Sequence, residues 1–341
     1  MSVDIWPHVS PEEFEVKRQE SLARELEWML KETRDFMEAL KHGLQDCYAL
    51  LAPVDPGSTL VLTTPRAEKV KGHITRVGTR IVKGTINVQL KMLPAQTLVL
   101  DPDHPIHLPA LESLNTYISE SLGLLSICLS TDTPANPHTI SDHLRALSTT
   151  LTASIALLKG HSSTDPNPDP SWQTESAPPV HFSPGLQPHL SFHLALSDAS
   201  LVLHLRALEL ADAPVHLGMK MALALGTFRR LEHDEMDRTF HFRYSRFTDG
   251  AGKHIHKRDM VVPRRASSSL REASMGFHAQ AQPGQQAGGT EDVFVREKVK
   301  VETADPSLLS LFSKLVALNN SLNQARRNLA AVMGEDMDDS S

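Results

Sequence analysis

Two stretches of this chain, one near each end, carry apolar residues in strict four-three alternation, and that pattern narrows the possible folds more than any other feature. From Pro11 to Leu51 the sequence is rich in Glu, Leu, Arg and Lys and holds a single glycine, Gly43, so the composition predicts one long helix. Within it Leu22, Leu26, Met29, Thr33, Phe36, Leu40, Gly43, Cys47 and Leu50 recur at steps of four and three, and Leu30, Met37, Leu44 and Leu51 widen the stripe. Near the other end Asp305-Pro306 reads as a helix start, an Asp N-cap followed by Pro in the first turn. Leu311, Leu315, Leu318, Leu322, Ala325, Leu329 and Val332 then keep the same step. Stripes of this kind need partners. Two middle segments supply them: Leu111, Leu114, Ile118, Leu122, Leu125 and Leu129 mark one, and Ile140, Leu144, Leu147, Leu151, Ile155 and Leu158 mark the other, with Gly160 as its C-terminal stop. A stripe wider than a two-stranded seam favours a bundle within one chain. The expected seam sets Leu22, Leu26, Met29, Phe36 and Leu40 against Leu311, Leu315, Leu318, Leu322 and Leu329, in a chain that is monomeric in isolation. The alternative, a pair of leucine zippers that dimerise the chain as an adaptor, stays open on the pattern alone.

Between the helices the period changes to two. Thr59–Thr64 and Lys71–Thr75 are short strand candidates, and in Thr85–Met92 the residues Ile86, Val88, Leu90 and Met92 face one way while Asn87, Gln89 and Lys91 face the other. Alternation returns at Leu190–Leu196, Leu201–Leu205, Val215–Leu225, Phe240–Tyr244 and Val293–Val301, which suggests an antiparallel meander. The predicted class is α+β, an elongated fold in two parts. Residues 11–52, 108–160 and 305–334 form the helical bundle, and residues 58–101 and 189–302 form the antiparallel β part. Residues 161–188 hold seven prolines and read as a linker, 264–292 lack the apolar content to offset their ordering entropy and read as a disordered insert, and 335–341 form an acidic tail.

The chemistry-bearing residues are sparse. Two cysteines, Cys47 and Cys128, fall within helical apolar patterns, where a small buried hydrophobe fits, and the chain reads as cytosolic. No phosphate-binding glycine loop, nucleophile elbow or paired-histidine zinc motif occurs, so no catalytic, cofactor-binding or metal-ligating residue is assigned. His254-Ile255-His256 would put two imidazoles on one strand face, but Lys253, Lys257 and Arg258 beside them would repel a cation. Lys plus Arg number 34 against 41 Asp plus Glu, a balance that argues against a nucleic-acid binder. The charge is unevenly spread: residues 226–271 are net +5 and residues 1–50 net −5. Lys253, Lys257, Arg258, Arg264 and Arg265 therefore form a candidate basic docking patch for an acidic partner or phospholipid, and Arg264-Arg265-Ala266-Ser267 makes Ser267 a candidate phosphosite. The acidic segment before Phe14 does not read as a leader, and no apolar run approaches the roughly 18 residues of a membrane span.

At Glu25-Leu26-Glu27-Trp28-Met29-Leu30, Val70-Lys71-Gly72-His73-Ile74-Thr75 and Ile86-Asn87-Val88-Gln89-Leu90-Lys91-Met92, and again from Val299–Val301 into the Leu308–Val332 helix, the chain resembles the Rogdi leucine-zipper family. The segments follow in the same order at similar separation; the Pro-rich stretch and residues 264–292 set this chain apart from shorter animal members. That family includes the small subunit of RAVE, the regulator of vacuolar proton-pump assembly. The resemblance implies a bundle built from both chain ends with a β part between, and a non-catalytic role without cofactors. It also implies a larger RAVE subunit and vacuolar-type ATPase subunits as partners, and a cytoplasmic protein recruited peripherally to vacuolar or endosomal membranes.

Overall fold

Among the described residues the chain forms four α-helices and nine strands. The computed structural model describes residues 10–52, 54–64, 69–91, 93–130, 136–160, 175–187, 189–210, 239–243 and 290–334. Helix α1 (Pro11–Leu51) opens with a reciprocal cap: the Ser10 hydroxyl accepts from the Glu13 backbone N–H at 3.2 Å, and the Ser10 N–H donates to the Glu13 carboxylate at 3.3 Å. Helices α2 (Pro109–Ser130), α3 (Pro137–Lys159) and α4 (Pro306–Met333) complete the bundle. Asp305 caps α4 as the sequence predicts, and Gly334 ends it in the left-handed region. Gly160 ends α3 at φ 64°, and a Cβ there would sit 2.1 Å from the Leu196 carbonyl oxygen, so both backbone and space demand glycine.

In the bundle α1 touches α2 and α4, and α3 touches the same two, so the four helices close into a ring. Gly43 faces Leu318 and Asp46 pairs with Lys314 at 3.0 Å, contacts that advance along α1 as they retreat along α4; the two helices are antiparallel. The terminal stripes thus meet within one chain, as expected, with one shift of phase. The buried residues of α1 are Thr33, Met37, Leu40, Leu44, Cys47 and Leu51, while Phe36, Gly43 and Leu50 lie at the margin. A straight helix turns every 3.6 residues and drifts by about 20° per heptad from a 3.5-residue repeat, so the centre of the buried face moves toward the flanking leucines. On α4, Leu308, Leu311, Leu315, Leu322 and Leu329 are buried and Leu318 half-buried.

The β part is two sheets. Strands β1 (Ser58–Thr63), β2 (Val70–Val77), β3 (Arg80–Val88) and β4 (Gln96–Val99) pair antiparallel in that order, and β5 (Ile106–His107) joins the same edge of β3 as β4. The second sheet runs β6 (Leu190–Ser197), β7 (Ser200–Leu210), β9 (Thr290–Ala304), β8 (Thr239–Arg243), all antiparallel. The expected meander is interrupted, because β9 returns from far along the chain to lie between β7 and β8. Its register with β7 shifts between Ala207 and Leu208, which leaves Arg296 as the extra residue of a bulge. The Val215–Leu225 strand, residues 264–289 of the expected insert and the acidic tail lie outside the described residues, whereas Thr290, Glu291 and Asp292, expected in the insert, open β9 and pair with β8.

One apolar core runs through bundle and sheets, from Met37 and Leu315 to Ile74, Ile86, Phe192 and Leu203. The described end of the Pro-rich segment joins it: Phe182 and Leu186 are buried, the Phe182 ring meets Phe192 edge to face at 5.0 Å, and Leu100 bridges to Phe182. These are among the few large apolar side chains that this segment offers, and they carry it into the space between the sheets. Among the described residues, no helix is long and apolar enough to cross a membrane.

Candidate interaction surfaces

Two ion pairs, one buried and one half-buried, fasten the parts together. Arg76 of β2 and Asp305 at the head of α4 are 3 % and 0 % exposed, with the guanidinium Nε donating to the carboxylate at 2.6 Å. The other Asp305 oxygen accepts from the Ser307 N–H at 2.9 Å, so one side chain both starts the helix and receives the sheet's cation. Glu297 of β9 likewise accepts from Lys69 Nζ and from the Lys91 N–H, each at 2.7 Å, which ties the two sheets. In a dry site such charges persist only when paired and hydrogen-bonded. Sequence reasoning found Asp305 only as a cap and missed the other three. A signal existed for Glu297, which occupies the inward register between Val295 and Val299.

At the far end of the bundle α1 outruns its neighbours. The Arg34 guanidinium donates to the Leu129 carbonyl at 2.9 Å, near the end of α2, and stepping α1 and α4 equally from the Gly43–Leu318 contact brings Met333 beside Trp28. Pro11–Glu27 therefore projects as an arm about 25 Å long at 1.5 Å per residue. Leu22, expected in the seam, lies on this arm and is 42 % exposed; Leu26 and Met29 are half-buried against the bundle's end. Phe14, Val16 and Trp28 are 62 %, 55 % and 58 % exposed.

The outward face of the first sheet forms a shallow cleft of about 420 Å³ lined by Thr59, His73, Thr75, Lys83, Thr85 and Leu100. Thr59 and Thr75 are paired across β1 and β2, and their hydroxyl oxygens are 3.1 Å apart. Elsewhere burial holds titratable groups neutral. It pushes the Cys47 thiol up to about 11, against a small opposing pull from Lys314. Cys128, whose Sγ lies 3.2 Å from His143 Nδ1, is also raised by burial. His204 is brought down to about 4, first by burial and then by the positive charges of His193, Arg206, Lys300 and Lys298. No group of three or more metal-ligating side chains occurs among the described residues. The candidate docking patch (Lys253, Lys257, Arg258, Arg264 and Arg265) and the candidate phosphosite Ser267 lie outside the described residues.

The helix-sheet-helix order, with both chain ends joined in one bundle, is the arrangement the resemblance implies, and comparison with known proteins agrees. Residues 25–330 match the family model described as Rogdi leucine zipper containing protein. A relative in Schizosaccharomyces pombe, named regulator of V-ATPase in vacuolar membrane protein 2, is 27 % identical over 212 residues, which cover 54 % of this chain and 72 % of the relative. With the match extending from within α1 to the last turn of α4, the chain belongs to the Rogdi leucine zipper family.

Proposed function

We propose that this chain regulates the vacuolar proton-translocating ATPase as a non-catalytic, RAVE-type assembly factor. It acts with a larger RAVE subunit to help the peripheral catalytic sector rejoin the membrane sector. The observation that carries this reading is the family match over residues 25–330, together with the fission-yeast relative whose name is that of a V-ATPase regulator. The architecture supports it. The bundle and sheets share one core and are pinned by the buried Arg76–Asp305 pair and the half-buried Lys69–Glu297 pair, so the molecule presents exposed faces in a fixed relation to one another, as a bridging protein requires. On this reading the protein works in the cytoplasm as a monomer, is drawn to the vacuolar membrane through its partners, and needs no cofactor. Lys253, Lys257, Arg258, Arg264 and Arg265 are proposed to dock an acidic partner surface, with phosphorylation of Ser267 weakening that contact by charge reversal. The rival homodimeric adaptor loses its main surface, since Leu311, Leu315 and Leu322 are covered within the chain.

Affinity purification of the tagged protein should bring down one large scaffold protein and, in smaller amount, proton-pump subunits. Deleting the gene should leave more of the peripheral sector free in the cytosol and acidify the vacuole poorly. Normal sector association in the deletion strain overturns the proposal.

A further inference from the structure

We infer that the outward face of the first sheet is a docking site for an extended acidic segment of another protein, one that carries carboxylates four residues apart. The inference rests on this face's own chemistry and is independent of the pump reading and of residues 253–265.

Strands β1 to β4 contain no Asp or Glu, in a chain that has 41 of them. Their outward face is therefore basic. Strand pairing sets its groups in rows: Lys83 stands opposite Thr75, which pairs in turn with Thr59, and in the next row His73 lies beside Val61. Lys71 follows one row further along β2. Val61, Lys71, His73 and Lys83 are all exposed, and neither lysine has an ion-pair partner among the described residues. Lys83 is level with Thr75, four residues from Lys71, so the two ammonium-bearing positions are about 13 Å apart along the strands. In an extended segment residues two apart share a side, so carboxylates at i and i+4 reach both lysines and an apolar side chain at i+2 meets Val61. The cleft of about 420 Å³ shapes the Lys83 end. There the Thr59 and Thr75 hydroxyls are 3.1 Å apart; one donates to the other, which keeps its own proton to donate to an incoming carboxylate. Asp101, between the lining residues Leu100 and Pro102, is already engaged: its Oδ2 lies 2.9 Å from His104 Nδ1, and its Oδ1 accepts from the Asp103 N–H at 3.1 Å. A bilayer is held by clusters of roughly 4–8 cations, whereas two lysines spaced along a sheet suit one acidic strand. A second copy is disfavoured, since this face against itself sets lysine against lysine.

The test uses the full chain and three labelled peptides with blocked termini: Glu-Thr-Val-Thr-Glu, its isomer Glu-Glu-Val-Thr-Thr, and Lys-Thr-Val-Thr-Lys. Exposed ion pairs are weak singly, so fluorescence anisotropy should show the first peptide saturating at about 0.1–1 mM, and more weakly as salt is raised. The isomer, with the same charge at the wrong spacing, should bind at least about 3-fold more weakly, and the lysine peptide should not saturate. Lys71→Gln/Lys83→Gln should weaken the first peptide by about 5-fold or more, and Lys71→Glu/Lys83→Glu should reverse the preference in favour of the lysine peptide. Both variants change exposed positions, so their circular dichroism and melting temperatures should match the parent; the Gln variant alone decides the matter if the Glu variant does not fold. No saturable binding of the first peptide, equal binding of its isomer, or no loss in the Gln variant overturns the inference. So does binding of phosphatidylcholine–phosphatidylserine vesicles that the Gln variant loses while the peptide fails to bind, which would make the occupant a membrane surface.

Discussion

Breaking the Arg76–Asp305 pair should cost more than any single exposed contact in this protein, and its two halves separate cleanly by mutation. The pair is almost fully buried and its Nε–Oδ2 distance is 2.6 Å. Asp305→Ala leaves a guanidinium in a dry site and removes an N-cap. The first effect costs about 3–5 kcal/mol and the second about 1 kcal/mol, a large share of the roughly 5–15 kcal/mol that holds a typical protein folded. Asp305→Ser keeps a capping oxygen and loses only the charge, so it should fall about 1 kcal/mol short of the Ala variant. Arg76→Met strands the carboxylate instead, and should also cost about 3–5 kcal/mol. The double variant Arg76→Met/Asp305→Ser buries no charge and should recover most of either loss, since replacing a buried pair by apolar groups is often close to neutral. Urea unfolding followed by circular dichroism measures all four proteins, with slopes compared to check that the unfolded state is unchanged. Single variants that add within about 0.5 kcal/mol in the double would mean the two charges do not interact. That result would refute the claim that this pair fastens the first sheet to the bundle.

Truncation of Leu315 or Leu322 to Ala should cost about 2–5 kcal/mol with a melting temperature independent of protein concentration; a melting temperature that rises with concentration in the wild type would restore the zipper dimer. Gly43→Leu should destabilise by at least about 1–3 kcal/mol, because even a Cβ at Gly43 would stand 2.7 Å from Leu318 Cδ2, and unchanged urea unfolding would show that α1 and α4 approach less closely. For His204 the folded value of about 4 lies below the unfolded value of about 6.5, so protons favour the unfolded chain. Its contribution is complete above about pH 6.5 and is lost as pH falls toward 4. After discounting for the part of the ring that water reaches, His204→Gln should narrow the stability difference between pH 7.5 and pH 5 by on the order of 1–2 kcal/mol, and identical pH profiles for the two proteins would count against a buried neutral imidazole.

The helices were legible because their signal is local. A stripe at four-three spacing, an Asp-Pro start at 305–306 and a glycine stop at 160 each depend on a few neighbouring residues, and each stands where the pattern puts it. Strands β1 and β2 and the last part of β3 were legible for the same reason, since alternation such as Ile86 and Val88 against Asn87 declares which face is dry, although β3 runs Arg80–Val88 where the pattern suggested Thr85–Met92. Alternation does not declare which strand lies alongside. The place of β9 between β7 and β8 joins residues about 90 positions apart, such as Leu205 and Val299, and no local propensity encodes that choice. The split of the strands into two sheets was hidden by the same blindness to pairing.

Buried charge was the harder case, and it divides by register. Glu297 interrupts an inward row of valines, so its position alone demands a partner, although nothing local names Lys69 and the Lys91 N–H as the groups that answer it. Arg76 shares the inward register of Ile74, a clue that the apolar reading of β2 passed over. The arm is different again, because the helix lengths that produce it were in plain sight. A helix of 41 residues packed antiparallel against one of 28 must overhang, and only Leu22, Ala23 and Leu26 carry the stripe onto the base of the overhang before Gln19, Glu15 and Glu12 replace it. What the sequence could not decide was the end at which the excess falls. The buried Arg76–Asp305 contact fixes that: it anchors the start of α4 at the sheets, beside the end of α1, so the excess can only emerge at the N-terminus of α1, where Leu22 and its bordering glutamates face water.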